Sequence, residues 1–148
     1  MIQWPDMIAG QGGTLAGYAT STSTNFIRIS KYFNKTYGYA MFGADGAATV
    51  DDIMQGSIGN CWFMAACSAV AETPGRIEKM FGGVDQFNNN AGFYDVKFYL
   101  LSVPITIRID DLIPTYGTYS QTLFARIVNR GVWMPVVEKA FAKMYGNY

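Results

Sequence analysis

The feature that most restricts the fold of this sequence is the run CWFMAACSAVAE at residues 61–72. It is apolar on every side, contains no glycine or proline, and uses alanine, methionine and phenylalanine more than β-branched residues. This composition favours a helix, and a helix that is apolar all round is enclosed by other elements. We therefore expect a buried central helix around which the rest of the chain packs.

The composition supports a well-filled core. The chain has 148 residues, of which 50% are apolar, 16% aromatic and only 15% charged. This length suits one domain, or one half of a two-lobed unit. Because so low a charge content leaves large apolar patches exposed on a monomer, we expect another lobe or chain to cover part of the surface.

Charge and cysteine content exclude several classes of function. Eleven basic and eleven acidic residues cancel, and no run of Lys or Arg marks a nucleic-acid surface. No apolar stretch is long enough to span a membrane, and the N-terminus lacks a signal-peptide pattern. Cys61 and Cys67 lie about 9 Å apart along one helix, beyond disulfide reach, and are predicted to be free thiols. We expect a soluble cytoplasmic chain without nucleic-acid or membrane partners.

The remaining segments predict helices around a small antiparallel sheet. Residues 93–100 and 103–109 alternate apolar and polar positions, which indicates a β-hairpin. The stretch GRIEKMFGG, residues 75–83, suggests a short helix whose end is marked by Gly82 and Gly83, and the stretch from Val132 to Gly146 suggests an amphipathic one with a proline in its first turn. The predicted fold class is α+β.

Three further segments carry weaker signals. Residues 9–24 are rich in glycine and small polar residues and are predicted to be a loop or surface arm. Residues 25–37 are interpreted as a short helix with Phe26, Ile29 and Phe33 on one face. Residues 112–131 show little periodicity and are predicted to be a long connection.

Cys61 is a candidate nucleophile because it stands where the central helix is expected to begin. The unpaired N–H groups and the positive end of the helix dipole favour a thiolate there. Gly56 and Gly59 leave room for a substrate backbone, and the side-chain amide of Gln55 can join the Cys61 N–H in binding an oxyanion.

The alternative is that Cys61 is a core residue like Cys67, since free cysteines are among the most buried residue types. The sequence contains no histidine, so these residues alone cannot form a Cys-His pair. Taken by chemistry alone, the two interpretations of Cys61 are evenly balanced. The pair Asp110 and Asp111, at the end of a predicted strand, is interpreted as turn-forming.

The longer sequence pattern favours the nucleophile. The run DDIMQGSIGNCWFMAACSAVAETPGRIEKMF resembles the start of the calpain protease core. AGFYDVKFYL and VPITIRIDDLIPT are similar to that family's hairpin, and VWMPVVEKAFAKMYGNY is similar to its following helix. The resemblance covers residues 45–148 in the family's order. We therefore divide the chain into an N-terminal arm, residues 1–44, and a calpain-like core subdomain, residues 45–148.

The resemblance implies the first subdomain of a papain-like cysteine endopeptidase. Cys61 matches the nucleophile and Gln55 the oxyanion-binding glutamine, while Trp62 matches a large buried aromatic residue that braces the helix. The family's catalytic His and Asn belong to a second subdomain, which is absent from these residues and would be supplied by the same gene product or another chain. Asn60 replaces the family's usual Asp, a change that eases ionisation of the thiol.

The resemblance also implies a possible remnant of a calcium site. Asp52 matches a side-chain ligand, and Asp45 and Ala47 match positions that offer backbone carbonyls. Gly131 stands where the family has a ligand Glu, so the set of carboxylates that Ca²⁺ prefers is incomplete. No cofactor is expected in this chain, and Asp52 fits the cap of a turn equally well.

Two hypotheses of function follow. In the first, the chain is the nucleophile-bearing half of a calpain-like intracellular cysteine endopeptidase, inactive until a second subdomain supplies His and Asn. In the second, it is a catalytically inactive calpain-fold module in a larger assembly, with Trp4 and the glycine-rich arm docking on a neighbour. The partner beyond the second subdomain is a protein substrate in the first case and an assembly partner in the second.

Overall fold

A computed structural model describes residues 24–29, 39–82, 92–116 and 121–146 of the chain. The elements in these ranges are three α-helices, five β-strands and one 3-10 helix, and they confirm the predicted α+β class. In chain order they are β1 Thr24–Arg28, the 3-10 helix Val50–Asp52, α1 Cys61–Ala71, α2 Arg76–Met80, β2 Phe93–Leu100, β3 Val103–Asp110, β4 Leu112–Tyr116, β5 Gln121–Thr122 and α3 Trp133–Met144.

The strands form two separate antiparallel sheets. One has the order β1-β4-β5, and the other is the two-stranded β2-β3 hairpin. The prediction of a short helix over residues 25–37 is wrong in its first part, because the chain there forms the strand β1. This strand pairs with β4, and Phe26 lies opposite Pro114. Ile27 and Ile29 are buried while Phe26 is exposed, so the relevant period there is two and not 3.6. Phe33 lies outside the described residues.

The prediction that residues 112–131 form a long connection without regular structure is also wrong. This segment contains β4, which lies between β1 and β5, with Thr115 paired to both Asn25 and Thr122. The strand is short and includes Pro114, so no alternating pattern is long enough to be read in the sequence. Residues 123–126, which follow β5, lie beside the loop that precedes α1.

The hairpin prediction is confirmed, with Phe93 opposite Asp110 and Leu100 opposite Val103. Its two-residue turn holds Leu101 and Ser102 at φ of 49° and 67°, the left-handed values that such a tight turn requires. The apolar face of the hairpin is buried only at the end far from this turn, where Tyr94, Val96 and Ile109 enter the core. The tip is exposed, and Leu101 is 92% accessible to solvent.

The central helix α1 begins and ends close to the predicted residues, but it is not buried all round. Its inner side carries Phe63, Met64, Cys67 and Ala71. Its other side is exposed at Cys61, Trp62, Ala65, Ala66 and Ala69. The described part of the chain thus leaves one apolar side of its central helix open to solvent.

The C-terminal helix α3 is confirmed, and its first two turns are buried on the polar side as well. Lys139, only 2% exposed, donates to the carboxylate and carbonyl oxygens of Asp110. Asp110 also accepts a hydrogen bond from the Leu112 backbone N–H at 2.9 Å, in agreement with its predicted turn role. Among the described helices, none has the length and apolar character needed to cross a bilayer.

Candidate active site

Cys61 is the first residue of α1, and its side chain is exposed. The N–H groups of Phe63 and Met64 both donate to the backbone carbonyl of Asn60, at 2.9 and 3.1 Å. The first N–H groups of the helix, those of Cys61 and Trp62, have no acceptor within the helix. The thiol therefore lies beside backbone donors and the positive end of the helix dipole, as the sequence predicted.

The loop that leads to Cys61 is fixed against residues 123–126. The Arg126 N–H donates to the Met54 carbonyl at 2.9 Å, and the Ser57 N–H donates to the Leu123 carbonyl at 3.0 Å. A Cβ on Gly56 would lie 1.6 Å from the carbonyl oxygen of Phe124, whereas a Cβ on Gly59 would meet nothing within 4 Å. Gly56 is thus required by the packing of two backbone segments, and only Gly59 leaves open space near the thiol.

Gln55 is exposed in this loop, and its side-chain amide donates to the carbonyl oxygen of Ile58 at 2.6 Å. The backbone N–H of Asn60 donates to the same oxygen at 3.0 Å. The Ile58 carbonyl therefore joins the side chain of Gln55 to the residue immediately before Cys61. This contact uses one hydrogen of the Gln55 amide and leaves the second for another acceptor.

A buried carboxylate, which the sequence reasoning missed, lies behind the loop. Glu138 of α3 is 3% exposed; its Oε1 accepts from the Asn60 side-chain amide at 2.7 Å and its Oε2 from the Ala125 N–H at 2.9 Å. Burial raises the pKa of Glu138 to about 7, although both N–H donors oppose the rise. The neighbours of Glu138 in sequence form an ordinary amphipathic pattern, and the one signal they offer is a carboxylate within a helix otherwise rich in apolar residues.

The two cysteines lie in different environments. Burial, with a smaller contribution from the charge of Glu138, raises the pKa of the Cys67 thiol to about 12. Cys67 is therefore an inert core thiol, as predicted, since only the thiolate is an effective nucleophile. Cys61, on the exposed first turn, is the accessible thiol of the described chain.

Aromatic side chains hold α1 against α3. The ring of Phe141 lies 4.3 Å from that of Phe63 and 5.5 Å from that of Trp62, measured between centroids. Trp62 is nevertheless 62% exposed, so its expected role as a buried brace is wrong for this chain. It contacts the neighbouring helix by one edge, while much of its indole surface faces solvent beside Cys61.

Asp52 lies in the 3-10 helix and is buried. Its Oδ1 accepts from the Asn129 side chain at 2.9 Å, and its Oδ2 accepts from the Thr49 N–H at 2.8 Å and from the Trp133 indole at 3.1 Å. The cap of a turn, which was the alternative interpretation of Asp52, is thus present. In the ranges that the structure covers, no three His, Cys, Asp or Glu side chains are grouped as metal ligands.

The other positions of the possible calcium remnant lie in two segments. Asp45 and Ala47 are exposed in a turn, and a Cβ on Gly131 would lie 3.1 Å from the backbone nitrogen of Gly43 at the start of that turn. Gly131 therefore brings the two segments together through backbone contact and contributes no carboxylate. Asp52 is tied to Asn129, two residues before Gly131.

We expect calcium to have little effect on the stability of this chain. A ligand that binds only the folded state raises its stability according to its concentration and affinity, and here the Asp52 oxygens already accept hydrogen bonds. The thermal midpoint in millimolar calcium chloride should equal that in EGTA to within about 1 °C. A calcium-dependent rise of several degrees, absent in magnesium, would show that the site binds the ion.

The geometry combines an accessible thiol, unpaired backbone donors and a nearby carboxamide in one fixed loop. Such a group can attack a carbonyl carbon and bind the oxyanion that results. The 148 residues contain no histidine, the side chain that most often shuttles the proton in such a reaction.

Comparison with known proteins agrees with this chemistry. The family model described as calpain family cysteine protease matches residues 19–148, beginning ahead of the boundary predicted at residue 45. The chain is 35% identical over 107 residues to calpain-5 of Caenorhabditis elegans, covering 68% of the chain and 16% of that protein. It is 30% identical over 113 residues to calpain-13 of Rattus norvegicus, covering 76% and 17%.

A third relative is the calpain-type cysteine protease DEK1 of Zea mays, 28% identical over 103 residues, or 70% of the chain and 5% of that protein. The family match places the chain, by class, among the sequences of a family of cysteine proteases. It belongs to the calpain family. The chain spans less than one fifth of the length of these three relatives. The division at residue 45 stays a prediction, although β1, which precedes it, pairs with β4 in the same sheet.

Proposed function

We propose that this chain is the nucleophile-bearing half of a calpain-like, papain-like cysteine endopeptidase that acts in the cytoplasm. Cys61 is the nucleophile, and its N–H together with the Gln55 side chain binds the substrate oxygen. The observation that carries the proposal is the exposed thiol at the start of α1, preceded by a loop that hydrogen bonds hold in place. Two free thiols, Cys61 and Cys67, suit a reducing compartment.

The proposed reaction uses a thiolate at Cys61. Its sulfur attacks the carbonyl carbon of a peptide bond, and the electron pair of the C=O bond moves to the oxygen that the two donors hold. Collapse of this intermediate breaks the C–N bond, and the amine leaves with a proton from an imidazolium outside these 148 residues. Water, deprotonated by the same imidazole, then attacks the acyl group on Cys61 and releases the acid.

The surface around the thiol supports a second subdomain as the partner. Trp62 and three alanines, Ala65, Ala66 and Ala69, present one apolar side of α1 to solvent. Exposed contiguous apolar surface beside a reactive group is characteristic of an interface. A lobe seated on this side would reach Cys61 and can bring the missing His and Asn.

The test joins residues 1–148 to a calpain second subdomain that carries His and Asn. We expect no hydrolysis of a peptide substrate by the chain alone and measurable turnover by the joined protein. Cys61→Ala should abolish that turnover, and Gln55→Ala should lower kcat by about 100-fold or more, as for the loss of an oxyanion donor. The matched control is Cys67→Ala, which removes the buried thiol and should leave kcat within about twofold of the unmodified protein, since that thiol is protonated and inaccessible.

A second candidate is the inactive calpain-fold module. The contact that favours it is the hydrogen bond from Gln55 to Ile58, which directs the amide to the loop itself. In this case Trp4 and the glycine-rich arm, outside the described residues, would dock on an assembly partner. The same experiment separates the two: a joined protein in which the lobes are docked, but which hydrolyses nothing, contradicts the protease and favours the module.

A further inference from the structure

The side chain of Asn60 is turned away from the helix that it precedes. Asn60 is the N-cap of α1, a position at which asparagine usually accepts a hydrogen bond from an N–H of the first turn. No such side-chain bond is present. Instead the amide nitrogen of Asn60 donates to Glu138, so the carboxylate holds the side chain away from the helix end.

This arrangement leaves the usual capping atom without a partner. The Oδ1 of Asn60 is buried and accepts no hydrogen bond from the described residues. A buried polar atom without a partner is unfavourable, and such atoms are rare in folded proteins. The first N–H groups of α1, beside the thiol of Cys61, are consequently free of a competing side-chain acceptor.

The same carboxylate orders the rest of the site. The second oxygen of Glu138 binds the Ala125 N–H, within the segment that holds the loop before Cys61. On the other side of Asn60, its backbone N–H and the Gln55 amide share the Ile58 carbonyl. Glu138 therefore belongs to a chain of contacts that runs from Ala125 through Asn60, the residue before Cys61, to the side chain of Gln55.

We propose that Glu138 is a positioning residue for the Cys61 site: it holds the Asn60 side chain off the start of α1 and so keeps the Trp62 N–H, next to the proposed oxyanion donor of Cys61, free of a capping acceptor. The catalytic benefit of this arrangement rests on the proposed function, whereas the effect of Glu138 on the Asn60 side chain does not depend on it. Without the carboxylate, the Oδ1 of Asn60 turns to the first turn of the helix, accepts from the Trp62 N–H and brings its partial negative charge beside the Cys61 N–H.

The test compares two alkylating reagents on the 148-residue chain. Iodoacetate is an anion and iodoacetamide is neutral, so the ratio of their rate constants at Cys61 reports whether the helix end is free to attract an anion. The ratio cancels differences in access and in the fraction of thiolate. Modification of Cys61 is followed by peptide mass spectrometry, and circular dichroism verifies that each variant is folded.

We expect Glu138→Leu to lower the ratio about threefold, because the released Asn60 caps the helix. Adding Asn60→Ala to that variant should restore the ratio, since alanine cannot cap. Glu138→Gln should keep the ratio of the unmodified chain. The new amide can donate to the Oδ1 of Asn60 once the Asn60 side chain flips, so that side chain stays turned away from the helix. An unchanged ratio in folded Glu138→Leu, or no rescue by Asn60→Ala, overturns the positioning role.

A second pair of variants decides the matter if Glu138→Leu fails to fold. Asn60→Ser can cap the helix but is too short to reach Glu138, and Asn60→Ala can do neither. The ratio should be about threefold lower for serine than for alanine, and equal ratios overturn the proposal. These measurements need no peptide hydrolysis. If the joined protein hydrolyses peptide but the variants leave the ratio unchanged, only the positioning role is refuted. If the ratio changes as expected but the joined protein hydrolyses nothing, only the protease is refuted.

Discussion

Replacing Gly56 by alanine should lower the free energy of unfolding by about 4 kcal/mol or more, above the roughly 1–3 kcal/mol that overpacking usually costs. The added Cβ would lie 1.6 Å from the carbonyl oxygen of Phe124 and 2.8 Å from that of Leu123. Both contacts are with backbone, which cannot turn aside as a flexible side chain does. The loop that carries Gln55 would have to separate from residues 123–126 and lose its hydrogen bonds there.

Gly59→Ala is the matched control, three residues away in the same loop. Its Cβ meets nothing within 4 Å, so we expect a change in unfolding free energy of no more than about 0.5 kcal/mol. Urea denaturation followed by tryptophan fluorescence measures both variants. If Gly56→Ala were as stable as Gly59→Ala, the close packing of the two segments would be wrong.

The second large effect is a pH-dependent gain of stability in Glu138→Gln. The pKa of Glu138 is raised from an ordinary 4.5 to about 7 by burial. Between these values the folded chain holds a proton that the unfolded chain has lost, so stability is highest below pH 4.5 and decreases as the pH rises through 7. This loss amounts to about 3 kcal/mol, and Glu138→Gln, which does not ionise, should not show it.

The measurement is the difference in unfolding free energy between Glu138→Gln and the unmodified chain, at pH 5 and at pH 8. Subtracting the two proteins removes the contributions of other titrating groups, such as Asp95, which forms an ion pair with Arg108 across the β2–β3 hairpin. We expect the difference to increase with pH in favour of glutamine. Glu72→Gln, on an exposed carboxyl, is the control and should show no comparable increase. Parallel pH curves for Glu138→Gln and the unmodified chain would contradict the buried carboxylate.

Local periodicity was sufficient where an element is long and has one buried side. The hairpin of β2 and β3 follows from strict alternation, and α3 follows from apolar spacing with a proline in its first turn and a glycine after its end. β1 and β4 could not be predicted in this way, because each is five residues long. They are stabilised by pairing with each other across more than 80 residues of sequence, and no local pattern records that pairing.

The candidate site likewise contains residues that the sequence predicts and one that it does not. Cys61 and Gln55 follow from the motif, because the chemistry depends on neighbours within seven residues. Glu138 acts from a helix far along the chain, and its connection with the loop before the thiol consists of hydrogen bonds to Asn60 and Ala125. The two glycines also differ in their roles. The sequence predicted that both Gly56 and Gly59 leave room for a substrate backbone, whereas in the structure Gly56 is required for packing and only Gly59 leaves open space.

The sequence by itself determined the α+β class, the free thiols and the likeness to the calpain core, since these depend on composition and on contiguous motifs. Tertiary structure decided which side of α1 is exposed, where the Asn60 side chain points and how Asp52 is used. The physical reason is that burial and hydrogen-bond partners belong to pairs of distant segments. A residue's own neighbours in sequence fix its backbone preference, but they do not fix what it will touch.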